Sequence, residues 1–320
     1  MVQFNHISVL KDECIAGLNI KPDGVYVDCT LGGGGHSLEI AKRLTTGRLI
    51  CFDKDTDAIN YASSVLKDHL SKITIIHDNF KNIKARINDL GIDKVDGILC
   101  DLGVSSYQLD TADRGFSYRY DARLDMRMDA SKGLSAYDVI NTYTDKQLQK
   151  ILFTYGEEKN TFAIVKKIIA QREIKPIETT FELRDIIVSC YPPKDRNKPA
   201  LCGRVFQAIR IEVNGELDDL ECLDDMIDIL NPGGRLCVIT FHPLEDRICK
   251  NVFKLNSTGC LCPPKFPKCV CGHKASINLV SKKPIIPSEE ELLRNSRSAS
   301  AKLRIVEKSA IKTIFILTDK

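Results

Sequence analysis

The chain has 320 residues, 43% of them hydrophobic and 28% charged, with a formal net charge of +3. That composition suits a water-soluble protein of one large domain or two smaller ones, and any nucleic-acid surface would have to be a local basic patch. No apolar run reaches a membrane span and residues 1–10 lack the regions of a signal peptide; most of the thirteen cysteines stand singly in apolar segments, as buried thiols do in reduced cytosol, so a cytoplasmic location with no membrane partner is expected.

Taken in order, the chain opens with His6, which reads as an incidental surface histidine, and a short helix from Val9 to Leu18. Val25, Tyr26 and Val27 then form a strand closed by Asp28, and four glycines lead into the helical pattern of Leu38, Ile40, Ala41 and Leu44. Strand, tight turn and helix in that order predict a polar ligand on residues 32–37, because glycine lets the backbone approach closely and the helix presents unpaired N–H groups. A second strand, Arg48 to Asp53, ends in an acid about twenty residues past the turn, where a carboxylate can accept from ribose hydroxyls. Two residues then choose among ribose-bearing ligands. Ser37 stands where a dinucleotide fingerprint wants its third glycine, and Asp28 would repel a pyrophosphate while suiting the cationic end of S-adenosylmethionine.

Helical spacing follows from Ala58 to Leu66, then a third strand from Ile73 that runs to Phe80, with Asp78 and Phe80 as candidates to hold an adenine ring and core packing as the alternative for Phe80. The fourth strand, Val95 to Asp101, leads into a loop of Leu, Gly, Val and two serines in place of the proline-aromatic loop of generic amine methylases. From Leu109 to Arg204 there is no β-alternation, only loop motifs and helices at residues 146–155, 160–171 and 181–190. This predicts a helical insertion, either a substrate-binding element or a lid that excludes water. Lys194, Arg196 and Lys198, followed by Arg204 and Arg210, form a local basic cluster that could meet phosphates or be a solvated loop.

A helix from Phe206 to Leu230 returns the chain to a fifth strand, Gly234 to Phe241, after an Asn-Pro-Gly-Gly turn, and His242 follows at its carboxyl end. In Cys260, Cys262, Cys269 and Cys271, two C-x-C pairs near His273 can supply the four soft ligands of tetrahedral zinc; the spacing is not the usual C-x-x-C, and a redox-labile disulfide or free thiols in a surface loop stand beside that reading. Segments at 275–282 and 302–308 can add two last strands, with a helix at 288–295 between them.

The acid before the glycines and the acid after the second strand together resemble a class I methyltransferase cofactor site. The resemblance becomes specific with Thr30-Leu-Gly-Gly-Gly-Gly-His-Ser37, Asp101-Leu-Gly-Val-Ser-Ser-Tyr-Gln-Leu-Asp110, Arg114-Gly-Phe-Ser-Tyr118, Leu124-Asp-Met-Arg-Met-Asp129, Tyr155-Gly-Glu-Glu158, Phe206-Gln-Ala-Ile-Arg-Ile211, Val213-Asn-Gly-Glu-Leu217 and Phe241-His-Pro-Leu-Glu-Asp-Arg247. In that order, over nearly the whole chain, they resemble the bacterial 16S ribosomal RNA (cytosine-N(4))-methyltransferase family. Tyr107, Pro243 and Arg123 depart from the family's usual residues, and the spacing before Phe206 looks expanded.

The resemblance implies an α/β fold: a class I, Rossmann-like S-adenosylmethionine-dependent methyltransferase sheet from residues 1–108 and 205–320, with a helical substrate-recognition domain inserted at 109–204 and a cysteine-rich loop at 260–273. It implies transfer of a methyl group to N4 of a cytosine in the decoding region of 16S ribosomal RNA, with that RNA or the small ribosomal subunit as partner, and it leaves a homodimer open. The family's cofactor positions fall on Gly34, Gly35, His36, Asp53, Phe80, Asp101 and Gln108. Of these, His36 and Gln108 come from the family alone. Asp101 is expected to orient the cofactor while the 103–106 loop with Ser105 and Ser106, and His242, surround the cytosine; no metal is expected to take part. A nicotinamide-dependent oxidoreductase and a non-catalytic RNA-binding protein with a vestigial cofactor fold are the alternatives.

Overall fold

The computed structural model describes residues 8–310 apart from 197, 199, 264 and 265, so His6 lies outside the described residues, as does the side chain of Ser106. In chain order the elements are α1 (Lys11–Leu18), β1 (Val25–Asp28), α2 (Gly35–Arg43), β2 (Arg48–Asp53), α3 (Thr56–Val65), β3 (Ile73–His77), α4 (Ile83–Asp89), β4 (Val95–Asp101), α5 (Ser106–Asp110), α6 (Ala136–Thr142), α7 (Asp145–Thr154), α8 (Thr161–Ile174), α9 (Thr180–Ser189), α10 (Ala200–Asn214), α11 (Leu223–Asp228), β5 (Leu230–Thr240), α12 (Pro243–Asn256), β6 (Ile277–Leu279), α13 (Glu289–Arg294) and β7 (Lys302–Lys308). The described residues fall into two compact units, one within residues 8–53, 59–102 and 220–310, the other within residues 54–58 and 103–219.

The first unit is a seven-stranded sheet in the order β3-β2-β1-β4-β5-β7-β6. Strands β1 to β5 run parallel, and β7 is inserted antiparallel between β5 and β6. The parallel strands are apolar runs because both faces are covered. One face packs Val27, Phe52, Ile98 and Val238 with α4, α11 and α12; the other packs Tyr26, Leu49, Leu99 and Cys237 with α1 and α2. Reversal of strand order on either side of β1 and β4 opens the crevice at their carboxyl ends, where open α/β sheets bind ligands.

The helix read from Phe206 to Leu230 is broken in two. α10 stops at Asn214, whose side chain accepts from Met128 N–H (2.8 Å) and donates to Met126 C=O (2.8 Å), and Gly215 turns the chain at φ +62°. β5 starts at Leu230, paired with Val95, and the Asn-Pro-Gly-Gly segment is an irregularity within that ladder.

The second unit has its own core of Leu124, Val139, Leu148, Ile151, Val165, Leu183 and Phe206, drawn from α6 to α10 and the preceding loop. Capping boxes at Ser135, Thr144 and Thr179 fix the starts of α6, α7 and α9, each hydroxyl accepting the N–H three residues on.

Candidate active site

The glycine turn is tied to three adjacent strand ends. Asp53, ending β2, accepts the Gly32 N–H through Oδ2 at 2.8 Å. Thr30 Oγ1 accepts the Asp101 N–H at 2.7 Å, tying the turn to the end of β4. Gly34 sits at φ +77°, a conformation that favours glycine, and a Cβ there would crowd that of Ala62 at 3.3 Å.

Asp28 takes a different place from the one expected. It is buried: Oδ2 accepts from the Ser37 hydroxyl at 2.6 Å and Oδ1 from the Thr30 N–H at 3.0 Å, so it braces the turn from within and does not present itself to a ligand. The two residues that argued against a dinucleotide are thus bonded to each other. Burial pushes the Asp28 carboxyl up to about 7, against the pull of those hydrogen bonds and with help from the nearby Asp53 charge.

Asp101 is shifted further, to about 8, first by burial and then by Asp28 and Glu245. Its Oδ1 is shut from solvent with no hydrogen-bond partner among the described residues, although the side chain keeps 22% exposure. Its Oδ2 lies 3.7 Å from Nδ1 of the buried His36, whose Nε2 meets the Val9 carbonyl oxygen at 3.0 Å. Two acids raised by burial, Asp28 and Asp101, stand beside Asp53 at neighbouring strand ends and make a site rich in carboxylates. A ligand bearing a cation and N–H donors fits such a site, and the amino and sulfonium groups of S-adenosylmethionine supply both.

Phe80 follows β3 in a short turn, partly buried against the core face. Asp78 is spent locally: Arg86 Nε donates to it at 2.7 Å, with the Asn79 N–H and the Asn82 amide as further donors. Although burial opposes it, these bonds hold the Asp78 carboxyl below its ordinary range, so Asp78 serves the turn where an adenine contact was expected. His242 lies two residues past β5 as the N-cap of α12, almost completely buried. Glu245 Oε2 accepts the N–H groups of Phe241 (2.8 Å) and His242 (3.3 Å), and its Oε1 lies 3.0 Å from His242 Nε2, at ion-pair distance but out of line for a hydrogen bond. The imidazole Nδ1 is a buried polar atom without a hydrogen-bond partner among the described residues.

Ser105, Ser106 and Gln108 belong to the second unit. Ser105 is the N-cap of α5, its hydroxyl accepting from the Gln108 N–H (3.2 Å), while Gln108 Oε1 accepts the Ser105 N–H (3.0 Å). The Gln108 amide donates to Asp55 Oδ2 at 2.8 Å, an acid that also pairs with Arg114 at 2.9 Å. Its S-x-x-Q signature was readable as a capping box.

In the basic cluster, Arg204 is committed to Glu158 (2.8 Å), Arg210 to Glu216 (2.7 Å) and Lys198 to Asp195 (2.6 Å). A second candidate surface in this unit is a cleft of about 490 Å³ lined by Lys146, Lys150, Phe153, Lys159 and Phe162 among others. Phe153 and Phe162 are 71% and 69% exposed. The signal for it is present in the sequence: Lys146, Lys150 and Phe153 recur at helical spacing along α7, with Phe162 opening α8.

A sheet with an inserted reversed seventh strand, a glycine turn after the first strand and an acid closing the second define a methyltransferase of the S-adenosylmethionine-dependent class. Residues 3–309 match the MraW methylase family. Ribosomal RNA small subunit methyltransferase H of Finegoldia magna is 54% identical over 310 residues, covering 96% of this chain and 99% of that protein. The protein of the same name from Clostridioides difficile is 53% identical over 310 residues, covering 96% of this chain and all (100%) of that one. Among solved structures, an rRNA methylase from Streptococcus thermophilus aligns over 95% of this chain and 99% of its own with a TM-score of 0.42 at 12% identity, too distant to bear on function. The chain belongs to the MraW methylase family.

Proposed function

We propose that this chain transfers a methyl group from S-adenosylmethionine to the exocyclic N4 of a cytosine in the decoding region of small-subunit ribosomal RNA. The observation that carries the reading is identity of 53–54% across 96% of the chain to proteins named as small-subunit rRNA methyltransferases. The acid-lined site supports it, because carboxyls at adjacent strand ends suit a ligand that bears a cation and N–H donors.

When bound, S-adenosylmethionine supplies an electrophilic methyl group on a sulfonium. The chain's residues do the rest. Asp53 accepts from the ribose hydroxyls, Phe80 offers a ring to the adenine, and Asp101 accepts from a cofactor N–H. His36 steadies Asp101 through Oδ2. The cytosine N4 is a weak nucleophile, its lone pair delocalised into the ring, so positioning is the main tool, worth roughly 7–11 kcal/mol of barrier when orientation is good. His242 is a buried group at a strand end that can hydrogen-bond the base; the methylated amine is acidic enough to lose its proton to water. The second unit supplies RNA recognition: lysines in the 146–159 stretch for phosphates and Phe153 and Phe162 for unstacked bases.

Mass mapping of modified cytosines in small-subunit RNA from cells with and without the protein tests the reading. Loss of one methyl group from one cytosine is expected; an unchanged modification pattern would sink it. Single-turnover assays then separate the two site residues. Asp101→Asn should weaken cofactor binding, whereas His242→Ala should slow methylation with cofactor affinity intact, and the reverse pattern would exchange their roles.

A further inference from the structure

The segment between α12 and β6 carries cysteines that the methyl-transfer site does not use. The Sγ atoms of Cys260, Cys262, Cys269 and Cys271 all lie within 4.8 Å of one another. Cys260 to Cys269 is 3.5 Å, Cys269 to Cys271 is 3.6 Å and Cys260 to Cys271 is 3.9 Å. Sulfurs joined in a disulfide stand about 2.05 Å apart, so these are not disulfide separations. A tetrahedral ion with metal–sulfur bonds of about 2.3 Å has sulfur–sulfur edges of about 3.8 Å, which these distances match. An iron–sulfur cluster would hold its four thiolates farther apart, since several metal atoms separate them, and hard cations prefer oxygen.

Backbone donors already point at the sulfurs. The N–H groups of Cys262, Leu261 and Val270 donate to Cys260, Cys271 and Cys262 Sγ, each at 3.4 Å. Such bonds orient and stabilise thiolates in metal sites. The chain leaves Cys271 through Gly272 at φ +64°, and His273 Nε2 meets the Leu255 carbonyl oxygen (3.0 Å), so the loop returns to the end of the helix it left.

Among the described residues, no apolar core gathers these cysteines. Leu261, Phe266 and Val270 are all among the exposed large side chains, and Cys260, Cys269 and Cys271 are exposed too. A loop that gathers four thiols within 4.8 Å of one another while its hydrophobic side chains face outward lacks the usual reason to close; a cross-linking ion supplies one. We propose that Cys260, Cys262, Cys269 and Cys271 bind one structural zinc ion as tetrahedral thiolates, their protons leaving to buffer as the metal binds. The closed ligand set leaves no position for water, so the ion staples the loop and does no chemistry.

The test uses the full chain purified under reducing, anaerobic conditions. Elemental analysis should find one zinc per chain, released by a mercurial thiol reagent. Replacement by cobalt(II) should give sulfur-to-metal charge-transfer absorption with strong tetrahedral visible bands. The double variant Cys269→Ser, Cys271→Ser should lose both signals, while Cys190→Ser keeps them. Thermal stabilisation by S-adenosylmethionine should survive in the double variant, which shows that it has folded. Reduced protein that takes up no zinc or cobalt, metal that persists in the double variant, or iron in place of zinc would overturn the proposal.

Discussion

The two compact units handle charge in opposite ways. In the sheet unit, acids are drawn out of water at adjacent strand ends, and burial together with mutual repulsion raises Asp28 to about 7 and Asp101 to about 8. In the helical unit the buried acids are paired: Tyr191, Asn160 and Arg204 hold the Glu158 carboxyl below its ordinary range although burial opposes them, and other lysines are left on the outside. A buried carboxyl oxygen without a donor, such as Asp101 Oδ1, carries a cost that a complementary donor relieves. Exposed lysines beside exposed aromatics cost little and remain sequence-tolerant, which suits a long polyanion.

The contrast can be broken most sharply at the cofactor. Asp53→Ala removes a charged acceptor and the brace on Gly32, and should lower S-adenosylmethionine affinity by about 1.5–3 kcal/mol, one to two decades, in calorimetry. An unchanged affinity would dismiss Asp53 as a ribose ligand. On the helical unit, Phe153→Ala should weaken RNA binding by about 1–3 kcal/mol if a base stacks there, with cofactor affinity untouched. Neutralising Lys146, Lys150 and Lys159 should flatten the log–log salt dependence by roughly two units, at about 0.7 per phosphate for single-stranded RNA. The same change at Lys194, Arg196 and Lys198 should do less, because Lys198 is already paired with Asp195; a larger effect there would move the RNA surface to that loop.

A pH-dependent effect sharpens the acid side. A carboxyl raised from its ordinary 3.8 to about 8 binds its proton more tightly folded than unfolded, so its contribution to stability is full at low pH and is lost as pH rises through that window. Asp101→Asn cannot titrate, so its melting temperature without ligand should gain on the wild type steadily from about pH 4 to about pH 8, and saturating S-adenosylmethionine should shrink the gap. A gap independent of pH would mean that Asp101 is not raised.

The strands and the turn were legible because β1, β2 and β4 are apolar runs, each punctuated by an acid. Asp53 and Asp101 follow from strand-end positions in such a sheet, whereas β3 stops at His77 and Phe80 lies in the short turn beyond it. The break between α10 and α11 was not legible, since Asn214 ends its helix through partners near residue 127 that no local pattern reveals. Asp28 was read for its charge but not its direction, because a side chain at a strand end faces either ligand or helix and only tertiary packing selects. Likewise Arg204 and Arg210 look like phosphate ligands in one dimension and prove to be partners of Glu158 and Glu216.

The hydroxyl of Ser37 resting on Asp28 has a consequence for how this turn could change its ligand. Moving toward a dinucleotide fingerprint calls for glycine at position 37, yet that change alone strips the Asp28 carboxyl of a donor where water cannot replace it. Removing Asp28 alone leaves the serine hydroxyl buried without its 2.6 Å acceptor. The two substitutions are therefore coupled, each costly unless the other accompanies it, and a double-mutant cycle should return a sizeable interaction energy. Stepwise substitution thus crosses a valley at this pair, and the turn is held to its ligand class by the bond between two side chains that need never touch the ligand.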